Sequence, residues 1–212
     1  MVKAVIFDMD GVLIDNYEYH CIAWKEFAKK YGVELKDNDI IKNFGRTNKE
    51  IFAEIFKREL KDDEVLTLGE EKERVYREVY KDYIKEVDGL TEYLKFLKNK
   101  GIKVAVASSA PIQNIDFILD GLDIRKYIDA IAHAGMIKRG KPDPEIFLKA
   151  AELLRVEPKD CIVFEDSLAG IEAGVRAGMK VFGVATTYPK EKLTMAHDVI
   201  ENFKEGNHWL LI

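Results

Sequence analysis

The chain has 212 residues, of which 47% are hydrophobic and 33% charged, and its formal net charge is −5. This length accommodates one large domain or a core with a smaller insertion, and the composition is that of a globular protein. The negative charge offers no basic field for nucleic acid, and no apolar run is long enough to span a bilayer. We therefore expect neither a nucleic-acid partner nor a membrane segment.

The chain contains two cysteines, Cys21 and Cys161, which lie far apart in the sequence. Such sparse cysteines favour reduced thiols inside the cell over a disulfide framework. The first residues run straight into a strand predicted from residue 3, so we expect no signal peptide. We expect a cytoplasmic protein and a monomer.

In the first third of the chain, one predicted strand is followed only by helical patterns. The strand covers residues 3–7. Apolar residues then recur at helical spacing over residues 19–30, 51–56 and 70–85. We interpret residues 16–86 as an α-helical cap inserted just after the first strand.

After residue 88 the pattern changes to alternating helices and strands. Helices are predicted over residues 90–100, 112–119, 144–154 and 168–177, and strands over 102–107, 128–132, 161–164, 181–184 and 198–200. This alternation predicts an α/β fold with a doubly wound, Rossmann-like parallel sheet and right-handed crossovers. The predicted core therefore comprises residues 1–15 and 87–212.

The first strand ends in two carboxylates, Asp8 and Asp10, followed by Gly11. Residues two apart on an extended chain point the same way, so both side chains leave the strand on one side. Such close carboxylates repel each other unless a cation or a shared proton intervenes. Acidic residues also end strands in ordinary turns, but the glycine and the second apolar run that follow favour a chemical site.

Other polar residues follow later strands, where ligands bind in open α/β sheets. They are Ser108 and Ser109, Lys141 between a glycine and a proline, and Glu165 with Asp166. Taken singly, Ser108 and Asp166 are also typical helix caps and Lys141 a typical solvated loop residue. Together they supply hydroxyls, an ammonium and carboxylates, which a phosphoryl group with Mg²⁺ requires.

The string Asp8-Met9-Asp10-Gly11-Val12-Leu13-Ile14-Asp15 resembles the nucleophile motif of the haloacid dehalogenase (HAD) superfamily. Ser108, Lys141 in Gly140-Lys141-Pro142, and the segment that begins with Glu165-Asp166 resemble its other three motifs, in order. The resemblance covers essentially the whole chain and is greatest to the β-phosphoglucomutase-like and sugar-phosphate phosphatase branch, which has a helical class 1 cap.

The resemblance implies a covalent phosphoryl-transfer mechanism on a small phosphorylated metabolite. Asp8 attacks phosphorus, and Asp10 protonates the leaving oxygen and then activates water. Mg²⁺ is bound by Asp8, the main-chain carbonyl of Asp10 and Asp166, with Glu165 close by. Ser108, Ser109 and Lys141 hold the transferring phosphate oxygens.

Substrate choice is expected to depend on the cap. By resemblance, His20 and Trp24 begin the cap, although a histidine there is as readily structural. Arg46, beside a glycine, is suited to a bidentate grip on an anionic or hydroxylated substrate. The predicted substrate residues of the cap are therefore His20, Trp24 and Arg46.

Three positions separate the leading interpretation from its alternatives. Asn48 stands where the mutase has the arginine for a distal phosphate, Asn16 replaces a threonine, and Ala110 replaces a second serine. These differences favour a phosphatase of a small phosphorylated metabolite, such as a sugar phosphate, over a β-phosphoglucomutase that interconverts β-glucose 1-phosphate and glucose 6-phosphate. A non-catalytic module that binds a phosphometabolite is the third alternative.

Overall fold

The computed structural model describes residues 1–36, 39–40 and 48–204. Its strands are β1 Ala4–Phe7, β2 Lys103–Ser108, β3 Ala130–His133, β4 Cys161–Glu165, β5 Lys180–Val184 and β6 Asp198–Ile200. Its α-helices are α1 Tyr17–Lys30, α2 Asn48–Phe56, α3 Asp62–Tyr80, α4 Leu90–Asn99, α5 Ile112–Gly121, α6 Glu145–Leu154 and α7 Leu168–Arg176. No described helix combines the length and the apolar character that crossing a bilayer requires.

The strands form one parallel sheet in the order β3-β2-β1-β4-β5-β6. In this register Phe7 lies beside Val106 on one side and Phe164 on the other. The chain winds outward from β1 in both directions, so a topological switch point falls between β1 and β4. The predicted α/β fold with a doubly wound parallel sheet is confirmed.

Both faces of the sheet are buried, as the continuous apolar strands predict. Successive strand residues point to opposite faces, so Ile6 belongs to a hydrophobic cluster on one face that also contains Val163 and Phe147. Phe7 belongs to the other face, where it stacks on Phe164 with ring centroids 5.3 Å apart and contacts Tyr93 edge-on. The ends of the central strands are therefore fixed by packing on two sides.

The chain divides into two compact units, one of Met1–Asp15 with Ile84–Ile212 and one of Asn16–Tyr83. The second unit consists of α1, α2 and α3 around a cluster of its own, which contains Phe27, Ile51, Phe52, Ile55 and Leu60. The predicted domain boundary lay at residues 86 and 87, close to this division. The assignment of the second unit as a catalytic cap stays a proposal.

The helix predicted over residues 70–85 is wrong at both ends, because α3 covers Asp62–Tyr80. Its first turn carries Asp62, Asp63 and Glu64, and an acidic first turn suits the helix dipole but shows no apolar period. The Glu64 carboxylate accepts the backbone N–H of Lys61 at 3.1 Å, which begins the helix earlier than the aromatic stripe indicates. The chain leaves the helix after Tyr80 in a turn.

Candidate active site

The site is built where β1 and β4 end side by side. The backbone N–H of Asp8 donates to the carbonyl of Phe164 at 3.0 Å, so the parallel pairing continues one residue past β1. This hydrogen bond brings Asp8 next to Glu165, the last residue of β4. Asp8, Glu165 and the following Asp166 are all buried. Carboxylates from segments about 157 residues apart therefore share one end of the sheet.

Lys141 bridges the two strand ends. Its Nζ lies 2.6 Å from Asp8 Oδ1 and 2.7 Å from Glu165 Oε2, and only 11% of its side chain is exposed. The ammonium also lies 5.1 Å from the centre of the Phe147 ring. Charge-assisted hydrogen bonds of this length fix both partners. The interpretation of Lys141 as a solvated loop residue is wrong.

Glu165 is held on its other oxygen by the start of α7. Its Oε1 accepts the backbone N–H groups of Asp166 at 3.1 Å and Ser167 at 2.9 Å, and the Ser167 hydroxyl at 2.8 Å. Ser167, rather than Asp166, is the N-cap of this helix, because its Oγ accepts from Gly170 N–H at 3.0 Å. The cap role considered for Asp166 is therefore wrong, and its carboxylate is not used there.

Asp8, Glu165 and Asp166 form a group that fits a divalent cation. Each offers one carboxylate oxygen, and these oxygens lie within 4.8 Å of one another. Such a set of hard oxygen donors is what Mg²⁺ and Mn²⁺ bind. Gly11 borders the group, since a Cβ at this position would lie 2.1 Å from Asp166 Oδ2. Gly11 also has a φ of +75°, a left-handed backbone conformation that by itself favours glycine.

If all three carboxylates are ionised, the group carries more negative charge than Lys141 balances. Burial raises the pKa of Asp8 to about 8, and the charges of Glu165 and Asp10 add to this rise while Lys141 opposes it. Burial, then the charges of Glu165 and Asp8, also raise the pKa of Asp166 well above its ordinary value. Three carboxylates face one ammonium, so a further cation at this point is electrostatically favourable.

Glu165 and Lys141 behave as an ionised pair. Burial opposes the charged form of Glu165, but the charge of Lys141 and the hydrogen bonds from Lys141 and Ser167 outweigh it and lower the pKa. Burial likewise opposes the ammonium form of Lys141, but Asp8 and Glu165 raise its pKa above the ordinary value. A permanent positive charge therefore lies next to Asp8, as a site for an anionic ligand requires.

The loop that carries Lys141 is clamped from the first turn of α6. The Glu145 carboxylate accepts the backbone N–H groups of Lys138 at 3.1 Å and Arg139 at 2.9 Å. From α7, the guanidinium of Arg176 donates to the carbonyl of Pro142 at 3.0 Å. These bonds fix the loop on both sides of Lys141.

The other predicted site residues of this unit lie at the same end of the sheet. Asp10 is half-buried, and its charge acts on Asp8. Ser108 is buried at the end of β2, and its Oγ accepts the backbone N–H of Ala110 at 3.1 Å. Ser109 is exposed. Ser108 does not cap α5, which has Pro111 at its N-cap position and no side-chain cap.

The predicted substrate residues of the helical insertion have mixed outcomes. His20 stacks face to face on Tyr76 with ring centroids 4.0 Å apart. Trp24 packs against the cluster of the second unit, and its ring centroid lies 5.6 Å from that of Phe52. Arg46 lies outside the described residues. A role of any of the three toward substrate stays a prediction.

Sequence reasoning missed three residues at this end of the sheet: Glu145, Thr186 and Thr187. The Thr186 hydroxyl donates to the carbonyl of Gly11 at 2.5 Å, and the Thr187 side chain is hydrogen-bonded to that of Asp166. The rule that pointed to Ser108, a hydroxyl after a parallel strand, applies equally to the two threonines after β5. Glu145 had no comparable signal, because its partners are backbone groups.

The comparisons with known proteins agree with this geometry. The sequence matches the family described as haloacid dehalogenase-like hydrolase over residues 5–184, and the chain belongs to this family. The predicted resemblance to the HAD superfamily and the enzyme class, a HAD-type phosphohydrolase, are confirmed.

Relatives are similar over most of their length. The chain is 38% identical over 188 residues to a phosphorylated carbohydrates phosphatase of Thermotoga maritima, covering 86% of this chain and 85% of the relative. It is 37% identical over 195 residues to the β-phosphoglucomutase of Bacillus subtilis, with coverages of 89% and 85%. A solved HAD hydrolase of family IA, variant 3, from Entamoeba histolytica superposes with a TM-score of 0.90 at 31% identity, with coverages of 97% and 95%.

Proposed function

We propose that the chain is a Mg²⁺-dependent phosphatase that hydrolyses a small sugar phosphate through a phosphorylated Asp8. The observation that carries this proposal is the contact of Lys141 Nζ with both Asp8 and Glu165, 2.6 and 2.7 Å away, beside the buried Asp166. A phosphate monoester needs such a positive charge next to an anionic nucleophile.

In the proposed first step, an oxygen of Asp8 forms a bond to phosphorus and the bond from phosphorus to the ester oxygen breaks. Asp10 gives its proton to the departing alkoxide. In the second step, Asp10 takes a proton from water, whose oxygen attacks phosphorus and releases Asp8. Two displacements thus replace one difficult displacement.

Asp8, Asp166 and the Asp10 carbonyl would hold the magnesium ion, with Glu165 close by. When bound, the ion neutralises charge on the phosphate oxygens. Ser108, Ser109 and Lys141 are proposed to bind those oxygens. The buried group of three carboxylates beside one ammonium supports this assignment.

A sugar phosphate is the proposed substrate because the Thermotoga maritima relative is named for phosphorylated carbohydrates. The end of β2 favours hydrolysis over mutase chemistry. Ala110 and Pro111 have no side-chain donor for a second phosphate group. A monomeric state and a cytoplasmic location stay predictions, and light scattering tests the first.

A β-phosphoglucomutase is the second candidate function. The 37% identity to the Bacillus subtilis enzyme favours it. A mutase returns its phosphoryl group to a sugar rather than to water, so it needs a bisphosphate to bind in two orientations. The two candidates therefore differ in their products.

The experiment is a panel of sugar phosphates, polyol phosphates, phosphoglycolate, nucleotides and pyrophosphate, assayed with Mg²⁺ for both phosphate release and isomer formation. We expect phosphate release from one or more sugar phosphates and none from the same panel with EDTA. Glucose 6-phosphate formed from β-glucose 1-phosphate without phosphate release would establish the mutase instead. Asp8→Asn and Asp10→Asn are assayed on the same panel, and Asp120→Asn, a surface change in the same unit, is their matched control.

A further inference from the structure

Two threonines after β5 are hydrogen-bonded to two segments of the site that are far apart in sequence. Thr186 Oγ1 donates to the Gly11 carbonyl oxygen, 175 residues away in sequence, with a donor–acceptor distance of 2.5 Å. The neighbouring Thr187 is hydrogen-bonded through its side chain to Asp166. One short segment thus holds the turn after β1 and the residue after β4.

These two segments also touch each other directly. Gly11 faces the Asp166 carboxylate so closely that a Cβ on Gly11 would lie 2.4 Å from Asp166 Cγ. The pairing of Glu165 with Gly183 brings the end of β5 beside β4, which places the threonines within reach. The contact between Gly11 and Asp166 is therefore held from outside by Thr186 and Thr187.

Without a cation, the charges of the site favour this arrangement only in part. Asp8, Glu165 and Asp166 are buried within reach of one another. Lys141 pairs with two of them and supplies one positive charge for three carboxylates. Neutral hydroxyl hydrogen bonds hold the backbone and the carboxylate in place without adding charge. A site whose donors are already in position loses less ordering entropy when a cation binds.

We propose that Thr186 and Thr187 are positioning residues that set the separation between the Asp8–Gly11 turn and Asp166, and thereby the affinity for the divalent cation. This inference rests on the metal dependence proposed above. Outer partners of metal ligands typically change metal affinity by roughly 10- to 100-fold when they are removed. If the threonines served only to anchor the loop after β5, their loss would reduce stability and leave cation affinity unchanged.

The test is a titration of the metal-free full chain with Mn²⁺ in the absence of substrate. Electron paramagnetic resonance measures the bound and free ion. Thr186→Val and Thr187→Val each preserve side-chain shape and remove one hydroxyl, and Thr186→Ser restores it. Thr67→Val is the matched control, because the Thr67 hydroxyl likewise donates to a backbone carbonyl, that of Asp63, at 3.0 Å. Circular dichroism reports the folded fraction of every variant.

We expect Thr186→Val and Thr187→Val to weaken Mn²⁺ binding by on the order of 10-fold, and Thr186→Ser and Thr67→Val to bind as the wild type does. In the enzyme assay, the Mg²⁺ concentration for half-maximal rate rises for both valine variants. Wild-type Mn²⁺ affinity in folded Thr186→Val and Thr187→Val would overturn the inference alone. A wild-type protein that binds no Mn²⁺ would overturn the proposed metal dependence and this inference with it.

Discussion

The Asp8 carboxylate occupies a position in which its ionised form is unfavourable as long as no cation is bound. Burial is the main cause, and it raises the pKa from 3.8 to about 8. The folded state therefore holds a proton that the unfolded chain has already released at neutral pH. Because a pKa difference between the two states is a stability difference, this residue links the proposed chemistry to pH.

In EDTA, we predict that the free energy of unfolding of the wild type falls as the pH rises from 3.8 to about 8. Because the pKa of Asp8 is higher in the folded state than in the unfolded chain, its contribution to stability is fully present below pH 3.8. That contribution is lost as the pH rises through about 8. Asp8→Asn removes the titrating group. At pH 8 the metal-free variant should be more stable than the wild type, by on the order of 2 kcal/mol. Urea unfolding at several pH values measures both.

The control is Asp120→Asn, because the pKa of Asp120 is shifted in the opposite direction to that of Asp8. Arg125 lowers the pKa of Asp120, so that carboxylate contributes stability above its ordinary pKa and the variant gains nothing at pH 8. A metal-free Asp8→Asn variant that is less stable than the wild type at pH 8 would show that Lys141 compensates Asp8 completely.

The two carboxylates of the first motif should differ in their kinetic effect. Asp8→Asn removes the nucleophile, so we expect no measurable turnover. Asp10→Asn removes only proton transfer and should lower kcat by on the order of 10²- to 10⁴-fold. Steady-state kinetics with saturating Mg²⁺ measure both. Turnover retained in Asp8→Asn would contradict the covalent scheme.

At the scale of elements, α7 approaches β4 and β5 closely enough that two of its glycines have no room for a side chain. A Cβ at Gly170 would lie 2.0 Å from Glu165 Cδ, and one at Gly174 would lie 2.7 Å from Val181 Cγ2. Both glycines therefore allow close packing, but only Gly170 packs against a site carboxylate. A substitution at Gly174 therefore disturbs packing alone, whereas one at Gly170 also displaces a carboxylate of the site.

We predict that Gly170→Ala and Gly174→Ala each destabilise the protein by about 1–3 kcal/mol, because neither site accommodates an added methyl group. Only Gly170→Ala should also lower kcat/KM, by on the order of 100-fold, since it displaces Glu165 and with it Lys141. Thermal unfolding and kinetics on both variants make the comparison. Equal activity of the two variants would contradict a positional role for Glu165.

The loop that carries Lys141 is held in place by Glu145 of α6. Glu145→Ala removes the acceptor for the backbone N–H groups of Lys138 and Arg139. We expect kcat/KM to fall by on the order of 10-fold, because Lys141 is no longer held against Asp8. Glu152→Ala on the same helix is the control, as Glu152 pairs with Lys149 on the surface. Wild-type kinetics in Glu145→Ala would show that other contacts suffice.

At the scale of the whole molecule, the sheet could be predicted because buried parallel strands leave a plain signal. Each predicted strand is present, since β1 is apolar throughout, β4 is apolar up to Glu165, and helical patterns separate the strands. The meeting of Asp8, Lys141 and Glu165 followed from the rule that parallel strands present their carboxyl ends at one edge.

The remaining features depend on contacts that local sequence does not encode. Glu145, Thr186 and Thr187 act on backbone groups or on residues distant in sequence, so their roles emerge only from the folded chain. The early start of α3 was missed because its first turn is acidic and lacks an apolar period. The roles of His20, Trp24 and Arg46 toward substrate stay predictions, and Arg46 lies outside the described residues.

The most direct test of the account is to look for the phosphoryl group on the protein. Wild type and Asp10→Asn, which lacks the base that activates water and also the acid for the first step, are each mixed with Mg²⁺ and the best sugar phosphate of the panel. The mixtures are quenched in acid at successive times, digested and examined by mass spectrometry. We predict one phosphoryl group on the peptide that contains Asp8, absent with EDTA and in the Asp8→Asn, Asp10→Asn double variant. Phosphate release by the wild type with no phosphorylated Asp8 in any sample would contradict the covalent mechanism.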